Sequence, residues 1–406
     1  MVLIISHPGH DTQTHHQTGV LALPAGVAAF GDSPSALYPA SALIVIIGIL
    51  SGYCFSLIGR VCALTGATTY REAWDLSVGE STSWIPAWAC TIKTGVANVA
   101  YSMILADTFQ NLFSTAGLNL SRSTTLLGIT STVLLPLCLL KDLASLAPFS
   151  LLGIIGMAYT TLAMAIRYFG GSYSLPAGKL LSSLAASKVP KFGNAGASAA
   201  LSPNSAILVC MLSTAYLAHY NAPKYFVELK DNTIERFNQV VKYGFAASMS
   251  MFVAVTAFGF LTFGKASQGL ILNNYANRDV LAGASRVAVA VSVVFSYPLA
   301  FVGIRDGILD LTKFPREKRT NSNLDRLSVA LLSVVTALAL KLKDLSFVLS
   351  FGGATLGNAI IFVFPALMFR AVAKKSGKDD MKREVNFAML VAALGVALGV
   401  VGGKMA

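Results

Sequence analysis

The chain has 406 residues, of which 54% are hydrophobic and only 12% are charged. A soluble domain carries about 25% charged residues, because its surface faces water. This composition excludes a soluble globular protein and indicates an integral membrane protein, whose outer surface faces lipid.

The apolar segments predict about 10–11 transmembrane helices, since a spanning helix needs about 20 mostly apolar residues. In chain order they are residues 19–30, 37–59, 85–109, 125–140, 146–168, 206–219, 243–263, 282–304, 327–340, 345–368 and 385–401. The first, fourth and sixth are short. We therefore predict an all-α integral membrane protein with a single transmembrane domain at residues 18–401.

The polar regions divide this domain. Residues 1–17 form a polar N-terminal tail, and residues 170–203 are rich in Gly, Ser, Ala and Lys, which predicts a flexible loop. The first repeat is expected at about residues 18–168, the second at about residues 204–368, and an extra helix at about residues 385–401.

The net charge of +12 comes from short basic clusters between apolar runs rather than from one basic face, so we expect no nucleic-acid partner. Residues 307–325 and 370–383 are the most basic loops, and two spans separate them. The positive-inside rule assigns both loops to the cytoplasm and the loop at residues 170–203 to the outside or a lumen.

Two segments predict interrupted helices. The first, residues 18–24, contains Gly19 and Pro24, and the second, residues 213–223, ends a short apolar helix at Pro223. They lie five spans apart, as two inverted five-helix repeats require, and such breaks expose backbone groups at the bilayer midplane. The alternative is that Gly19 and Pro24 mark an ordinary turn.

Five stretches of the sequence resemble the amino acid/auxin permease family. They are TGVLALPAGVAAFGD, VANVAYSMILADTF, LLPLCLLKDLASLAPFSLLG, AHYNAPKYFVELKD and LSFVLSFGGATLGNAIIFVFPALM. Together they cover about residues 18–368. The resemblance implies two inverted five-helix repeats plus an eleventh helix, with helices 1 and 6 broken.

The resemblance also implies a function and a site. It implies alternating access, with (neutral) amino acids as substrates, Na⁺ or H⁺ as the coupling ion and no other cofactor. In relatives, the broken helices hold the amino and carboxyl groups of the substrate. The positions assigned to the substrate here are Gly19, Leu21, Ala22, Ser213, Ala215, His219 and Asn221.

A hydroxyl on the eighth helix helps to hold sodium in relatives, and the matching position here is Ser296. Hard cations prefer oxygen ligands such as a serine hydroxyl. The alternative is a helical serine bonded to its own backbone.

The start of the chain departs from the family pattern. The first half-helix of relatives is replaced by residues 1–17, which we interpret as a truncated or misjoined start or as a real variant. Its polar residues are expected to form a disordered tail, with a metal site as the alternative. They include His7, His10, Asp11, His15 and His16. The five cysteines form no CxxC pair, so we predict no metal site.

Two of the titratable residues inside the predicted spans are candidate functional residues. His219 is a candidate for proton coupling, because histidine titrates near neutral pH. Lys93 either faces a water-filled cavity or, as we favour, extends its stem so that the ammonium reaches the membrane interface.

The leading hypothesis is secondary active transport of amino acids in the plasma membrane or a vacuolar or lysosomal membrane. The alternatives are a non-transporting amino-acid sensor and an inactive truncated transporter. The predicted spans contain no paired acids and no nucleophile–base pair, so we expect no enzyme. The sequence does not indicate an oligomeric state.

Overall fold

The computed structural model describes residues 17–140, 149–377 and 381–405, and helices dominate these ranges. One isolated bridge, between Lys191 and Gly264, is the only extended pairing within them. The prediction of an all-α protein is confirmed. The histidine-rich segment, residues 7–16, and the start of the fifth predicted span lie outside the described residues.

Eight helices form the first half of the described chain. Their bounds are α1 Gln17–Val20, α2 Leu23–Phe30, α3 Leu37–Thr65, α4 Tyr70–Ser77, α5 Trp84–Thr115, α6 Arg122–Ile129, α7 Leu135–Cys138 and α8 Phe149–Phe169. The π-helical segment Thr130–Leu134 joins α6 to α7. The predicted fourth span is thus two short helices with a π-helical turn between them.

The second half contains eight more helices. Their bounds are α9 Ser205–Ala215, α10 Ala222–Val227, α11 Ile234–Phe263, α12 Val280–Leu311, α13 Asn321–Lys341, α14 Leu345–Gly352, α15 Phe364–Ser376 and α16 Lys382–Met405. Two π-helical segments, Gly353–Gly357 and Ala359–Val363, join α14 to α15.

Polar caps set two helix starts that the hydrophobic pattern places too late. The Thr233 hydroxyl accepts a hydrogen bond from the Arg236 N–H, so α11 begins nine residues before the predicted residue 243. Thr320 caps α13 in the same way, and this helix begins six residues before the predicted residue 327. Hydropathy locates the apolar part of a span, whereas the cap decides where the helix begins.

Seven helical stretches within the described residues are long and apolar enough to cross a membrane. They are Pro34–Thr65, Leu151–Phe169, Ile234–Phe263, Val280–Leu311, Asn321–Lys341, Leu345–Ser376 and Lys382–Met405. The interrupted helices are shorter than this, and the division into two five-helix repeats stays a prediction. The chain is a multi-pass integral membrane protein.

The short helix α9 occupies the centre of the packing. It contacts α1 and α2 on one side and α14, α16 and the segment Gly353–Gly357 on the other. Around it, α12 packs against α5 and α8, and α11 packs against α3, α2 and α8. The ends of the two interrupted helices therefore meet inside the bundle.

The connection at residues 170–203 is anchored to the helical bundle, although its composition indicates a flexible loop. Its Gly193 N–H donates to the Asp32 carbonyl over 3.0 Å, and the Asp32 N–H donates to the Ala195 carbonyl over 3.0 Å. Its Lys191 N–H donates to the Phe263 carbonyl at the end of α11 over 3.1 Å. These bonds join neighbouring helix ends at one face of the bundle.

Candidate functional site

The first predicted interruption is confirmed, and it lies at Leu21 and Ala22. Both residues are fully buried between α1 and α2. Pro24 follows near the start of α2, where its missing N–H costs nothing. The Leu21 carbonyl accepts a hydrogen bond from the Ile271 N–H over 3.0 Å, so a loop residue replaces the helical partner.

The second interruption follows α9. Tyr216, Leu217 and Ala218 are buried and lie outside any helix. A single 3₁₀ turn, His219–Asn221, then leads into α10. Buried backbone that leaves helical bonding offers polar groups to a ligand.

Gly19 brings the two interruptions together. A Cβ atom built at Gly19 would lie 3.2 Å from the Cα atom of Ala215, which is tighter than ordinary van der Waals contact. Only a glycine lets α1 approach the end of α9 so closely. The predicted positions Gly19, Leu21, Ala22 and Ala215 are thus assembled in one region.

The Ser213 side chain contacts the backbone of its own helix, α9, and the segment that follows α14. Its hydroxyl oxygen lies 2.6 Å from Asn358 Oδ1 and 3.1 Å from the Val209 carbonyl. Ser213 and Asn358 are both buried. These contacts link α9 to the tenth predicted span rather than to α1.

His219 is fully buried against α3. Its Nε2 atom lies 2.9 Å from the Ser51 carbonyl oxygen, which can only accept, so Nε2 carries a hydrogen. The ring meets Phe55 edge-on at 5.4 Å and Phe245 at 6.5 Å between centroids. Its proposed role in proton coupling stays a prediction.

Asn221 lines a partly open cavity of about 260 Å³ between α5, α12 and the link from α9 to α10. Thr91 and Thr94 of α5 form one wall, and Asp310 lies at the end of α12. The charge pattern assigns the end of α12 to the cytoplasm. The cavity therefore leads from the link after α9 toward that face.

Ser296 is buried in α12, beside the buried contact between the Tyr297 and Ser102 hydroxyls at 3.0 Å. Pro298 lies inside the same helix and has no N–H to donate to the Val294 carbonyl. Serine hydroxyls and backbone carbonyls are both suitable cation ligands. The ion-binding role of Ser296 stays a prediction.

Lys93 does not reach the membrane interface, and our favoured interpretation of it is wrong. Its exposed fraction is 3%, and its Nζ atom donates to the Thr214 hydroxyl over 3.0 Å. Thr214, at the end of α9, in turn donates to the Leu349 carbonyl over 2.7 Å. The sequence marks Lys93 by its position inside a predicted span, where an ionisable residue is a candidate functional residue.

The connection between α11 and α12 closes the opposite end of the site. Arg286, fully buried in α12, donates to the carbonyls of Leu272 over 2.9 Å and Tyr275 over 2.7 Å. These bonds hold the loop whose Ile271 N–H reaches the Leu21 carbonyl. Sequence analysis missed Arg286, although it too is a charged residue inside a span.

Asp279 fixes the end of the same loop. It accepts hydrogen bonds from Arg167 over 2.7 Å and from the Tyr173 hydroxyl over 2.8 Å, and it caps α12. Burial acts to raise the pKa of this carboxyl, but the hydrogen bonds from Arg167, Tyr173 and the Ala282 N–H outweigh it and lower the pKa.

The family model for transmembrane amino acid transporter proteins matches residues 12–405 of this sequence. The chain belongs to this family. The match covers both interrupted helices and the final helix, so the resemblance of the five sequence stretches is confirmed for almost the whole chain.

Relatives in this transporter family match over similar lengths. "Putative sodium-coupled neutral amino acid transporter 11" of Danio rerio is 23% identical over 391 residues, covering 95% of this chain and 82% of its own. Amino acid transporter AVT6E of Arabidopsis thaliana is 23% identical over 406 residues, covering 95% and 79%. Among solved structures, a Na⁺-coupled sialic acid symporter aligns with a TM-score of 0.47 and 11% identity, over 98% of this chain and 90% of that chain.

Proposed function

We propose that this family member is a secondary active transporter that carries neutral amino acids by alternating access, coupled to Na⁺ or H⁺. The observation that carries the proposal is the contact between the two interrupted helices at Gly19 and Ala215. Paired interruptions in corresponding helices create binding sites for polar substrates inside a membrane. The match to the transporter family and the names of the relatives support the same substrate class.

The ends of the half-helices suit the two charges of an amino acid. The N-terminus of α2, after Leu21 and Ala22, carries partial positive charge and favours the substrate carboxylate. The C-terminus of α9 at Ala215 carries partial negative charge and favours the ammonium group. Ser213, His219 and Asn221 would then shape the region around the substrate side chain, and Ser296 would contribute to the ion site.

Selectivity for neutral side chains follows from the composition of the interruptions. Residues 19–22 and 213–222 contain no Asp, Glu, Lys or Arg. A cationic substrate side chain would need an anionic partner there, because an unpaired charge is costly in a buried site, and the neighbouring Lys93 amine on Thr214 cannot supply one. A neutral side chain requires no such partner.

The two interruptions are covered from one face of the bundle and partly accessible from the other, which supports alternating access. On one side, the hydrogen bond from Ile271 to Leu21 covers the first interruption. On the other, the cavity at Asn221 and Asp310 extends toward the face that we assign to the cytoplasm. One route to the interruptions is thus closed while the opposite route is partly open, as in an inward-facing state.

Uptake into liposomes tests the proposal. Purified protein is reconstituted, and labelled neutral amino acids are added under an inward Na⁺ gradient or an inward H⁺ gradient. We expect accumulation above equilibrium with at least one gradient, and its loss in Gly19→Val, which places a branched side chain against Ala215. Gly128→Ala is the control, because a Cβ atom there has no neighbour within 4 Å. Amino acid binding without gradient-driven uptake would identify a sensor instead.

A further inference from the structure

Lys93 lies where three elements of the transporter meet. Its amine contacts Thr214 at the end of α9, and Thr214 bonds to the Leu349 carbonyl of α14. A Cβ atom built at Gly352 would lie 3.1 Å from Nζ, so the amine also rests against the end of α14. A change in the charge or position of this amine would therefore affect the packing of α5 against α9 and α14.

No carboxylate pairs with Lys93 in the part of the chain that the structure describes. From α9, the titratable side chain that faces it is the Cys210 thiol. Helix α14 has the sequence LSFVLSFG and contains no titratable residue. A lysine buried without a counter-ion is expensive to keep charged, and such residues in membrane helices serve ion or proton pathways.

The hydrogen bond to Thr214 does not require a positive charge. The Thr214 hydroxyl gives its own hydrogen to Leu349 and accepts one from Lys93. A neutral amine has two hydrogens and can make the same bond as an ammonium ion. Both protonation states therefore fit this geometry, and protonation changes the strength of the bond rather than its partners.

A cavity large enough to hold water comes within one helical turn of Lys93. Cys90 lies three residues earlier in α5, on the same face of the helix, and it lines the cavity of about 260 Å³. Ala87, one further turn away, lines the same cavity. A small movement of α5 relative to α9 would bring the amine into contact with water in this cavity.

We propose that Lys93 takes up and releases the proton that drives transport. In the outward-accessible state the neutral amine accepts a proton from water, and its stronger bond to Thr214 holds α9 against α5. In the inward-accessible state the ammonium ion returns the proton to water in the cavity beside Cys90. Each cycle moves one proton across the membrane, and no other reactant is consumed. This inference rests on the proposed transport function.

The test uses the full-length protein in liposomes with the membrane potential held at zero. Uptake of labelled amino acids is followed under a pH gradient of one unit, which can sustain about tenfold accumulation for one proton per substrate. Exchange of internal unlabelled for external labelled amino acid is measured in parallel, because exchange needs no net proton movement. The variants are Lys93→Met and Lys93→Arg, and the control is Lys341→Met, an exposed lysine at the end of α13.

We expect both Lys93 variants to exchange substrate but to lose accumulation, falling from about tenfold to equilibrium. Arginine restores the positive donor but does not release its proton, so a purely structural role would be rescued by Lys93→Arg. If Lys93→Met does not fold, as judged by size-exclusion chromatography, the Lys93→Arg variant alone tests the inference.

Three results would overturn the inference. The first is pH-driven accumulation by either Lys93 variant, and the second is loss of exchange together with accumulation in a folded variant. The third is wild-type accumulation with Na⁺ alone, which leaves the proposed function intact. A wild-type protein that accumulates substrate under neither gradient would contradict the proposed function itself.

Discussion

Replacing Gly353 with alanine would disturb the packing of α9 against the segment Gly353–Gly357. A Cβ atom at Gly353 would lie 1.8 Å from the Cys210 carbonyl oxygen and 2.7 Å from its carbon. Carbon and oxygen atoms in contact stay about 3.3 Å apart, so the two backbones would have to separate by about 1.5 Å. No side-chain rotation relieves this clash, because the obstacle is backbone.

The cost follows from the confinement of α9. Overpacking a well-packed core costs about 1–3 kcal/mol. We expect the upper end of this range, because α16 packs against the same residue of α9 and restricts its adjustment: a Cβ atom at Gly402 would already lie 2.1 Å from the Cys210 sulfur. For a chain of this size, about 3 kcal/mol corresponds to a decrease in Tm of about 5 °C. Substrate exchange should also slow, since Ser213 and Thr214 move with Cys210.

Thermal unfolding of the purified protein in detergent, followed by intrinsic fluorescence, measures this effect, and exchange in liposomes measures the functional part. The matched control is Gly128→Ala in α6, where nothing lies within 4 Å of the added carbon. Alanine in a helix is favoured over glycine by about 0.5–1 kcal/mol, so the control should keep or slightly raise the Tm. Equal Tm values for the two variants would refute the close packing of α9 on Gly353.

Three further predictions concern ionic contacts. Asp279→Asn should lower stability by about 2 kcal/mol, because Arg167 loses a charged partner at a helix cap, and a thermal melt measures the change. The pKa of Asp279 is lowered in the folded protein, so its stabilisation is full above its unfolded value of about 3.9 and is lost as the pH falls through the folded pKa. The Tm of the wild type should therefore fall in acid below about pH 4 more steeply than that of Asp279→Asn, in melts across a pH series. Glu384→Gln, which weakens the partly exposed ion pair with Arg60, should cost under about 1 kcal/mol in a thermal melt, and a larger loss would contradict this expectation.

Much of the fold could be predicted because the hydrophobic segments are long. The stretches that become α3, α12 and α16 are recognisable from length and composition alone. The two interruptions were also predictable, since glycine and proline mark them in segments too short to span a membrane. The π-helical segments Gly353–Gly357 and Ala359–Val363 were not, because they lie within one long apolar stretch and a π-helix changes only the hydrogen-bond partner.

The side chains around the site were harder to predict, because their partners are distant in sequence. Lys93 meets Thr214 across 121 residues, and Ser213 meets Asn358 across 145 residues. Position within a span predicted that Lys93 was unusual, but not whether it pointed to lipid or to the core. The distinction depends on which face of α5 the neighbouring helices cover, and no local pattern records that.

The packing around α9 differs between its two sides, and this difference indicates which contact moves. A Cβ atom at Gly353 or Gly402 would overlap atoms of Cys210 at 1.8 and 2.1 Å, whereas one at Gly19 would lie 3.2 Å from Ala215. Tightly interlocked backbones resist sliding, because interiors at this density have few alternative arrangements. We therefore expect α9 to move with α14 and α16 during transport, and the looser contact between α1 and α9 to change. In a variant with Gly19→Cys and Ala215→Cys, the disulfide-linked form should then exchange substrate more slowly than the reduced form, and equal, measurable rates in the two forms would show that α1 and α9 move as one unit.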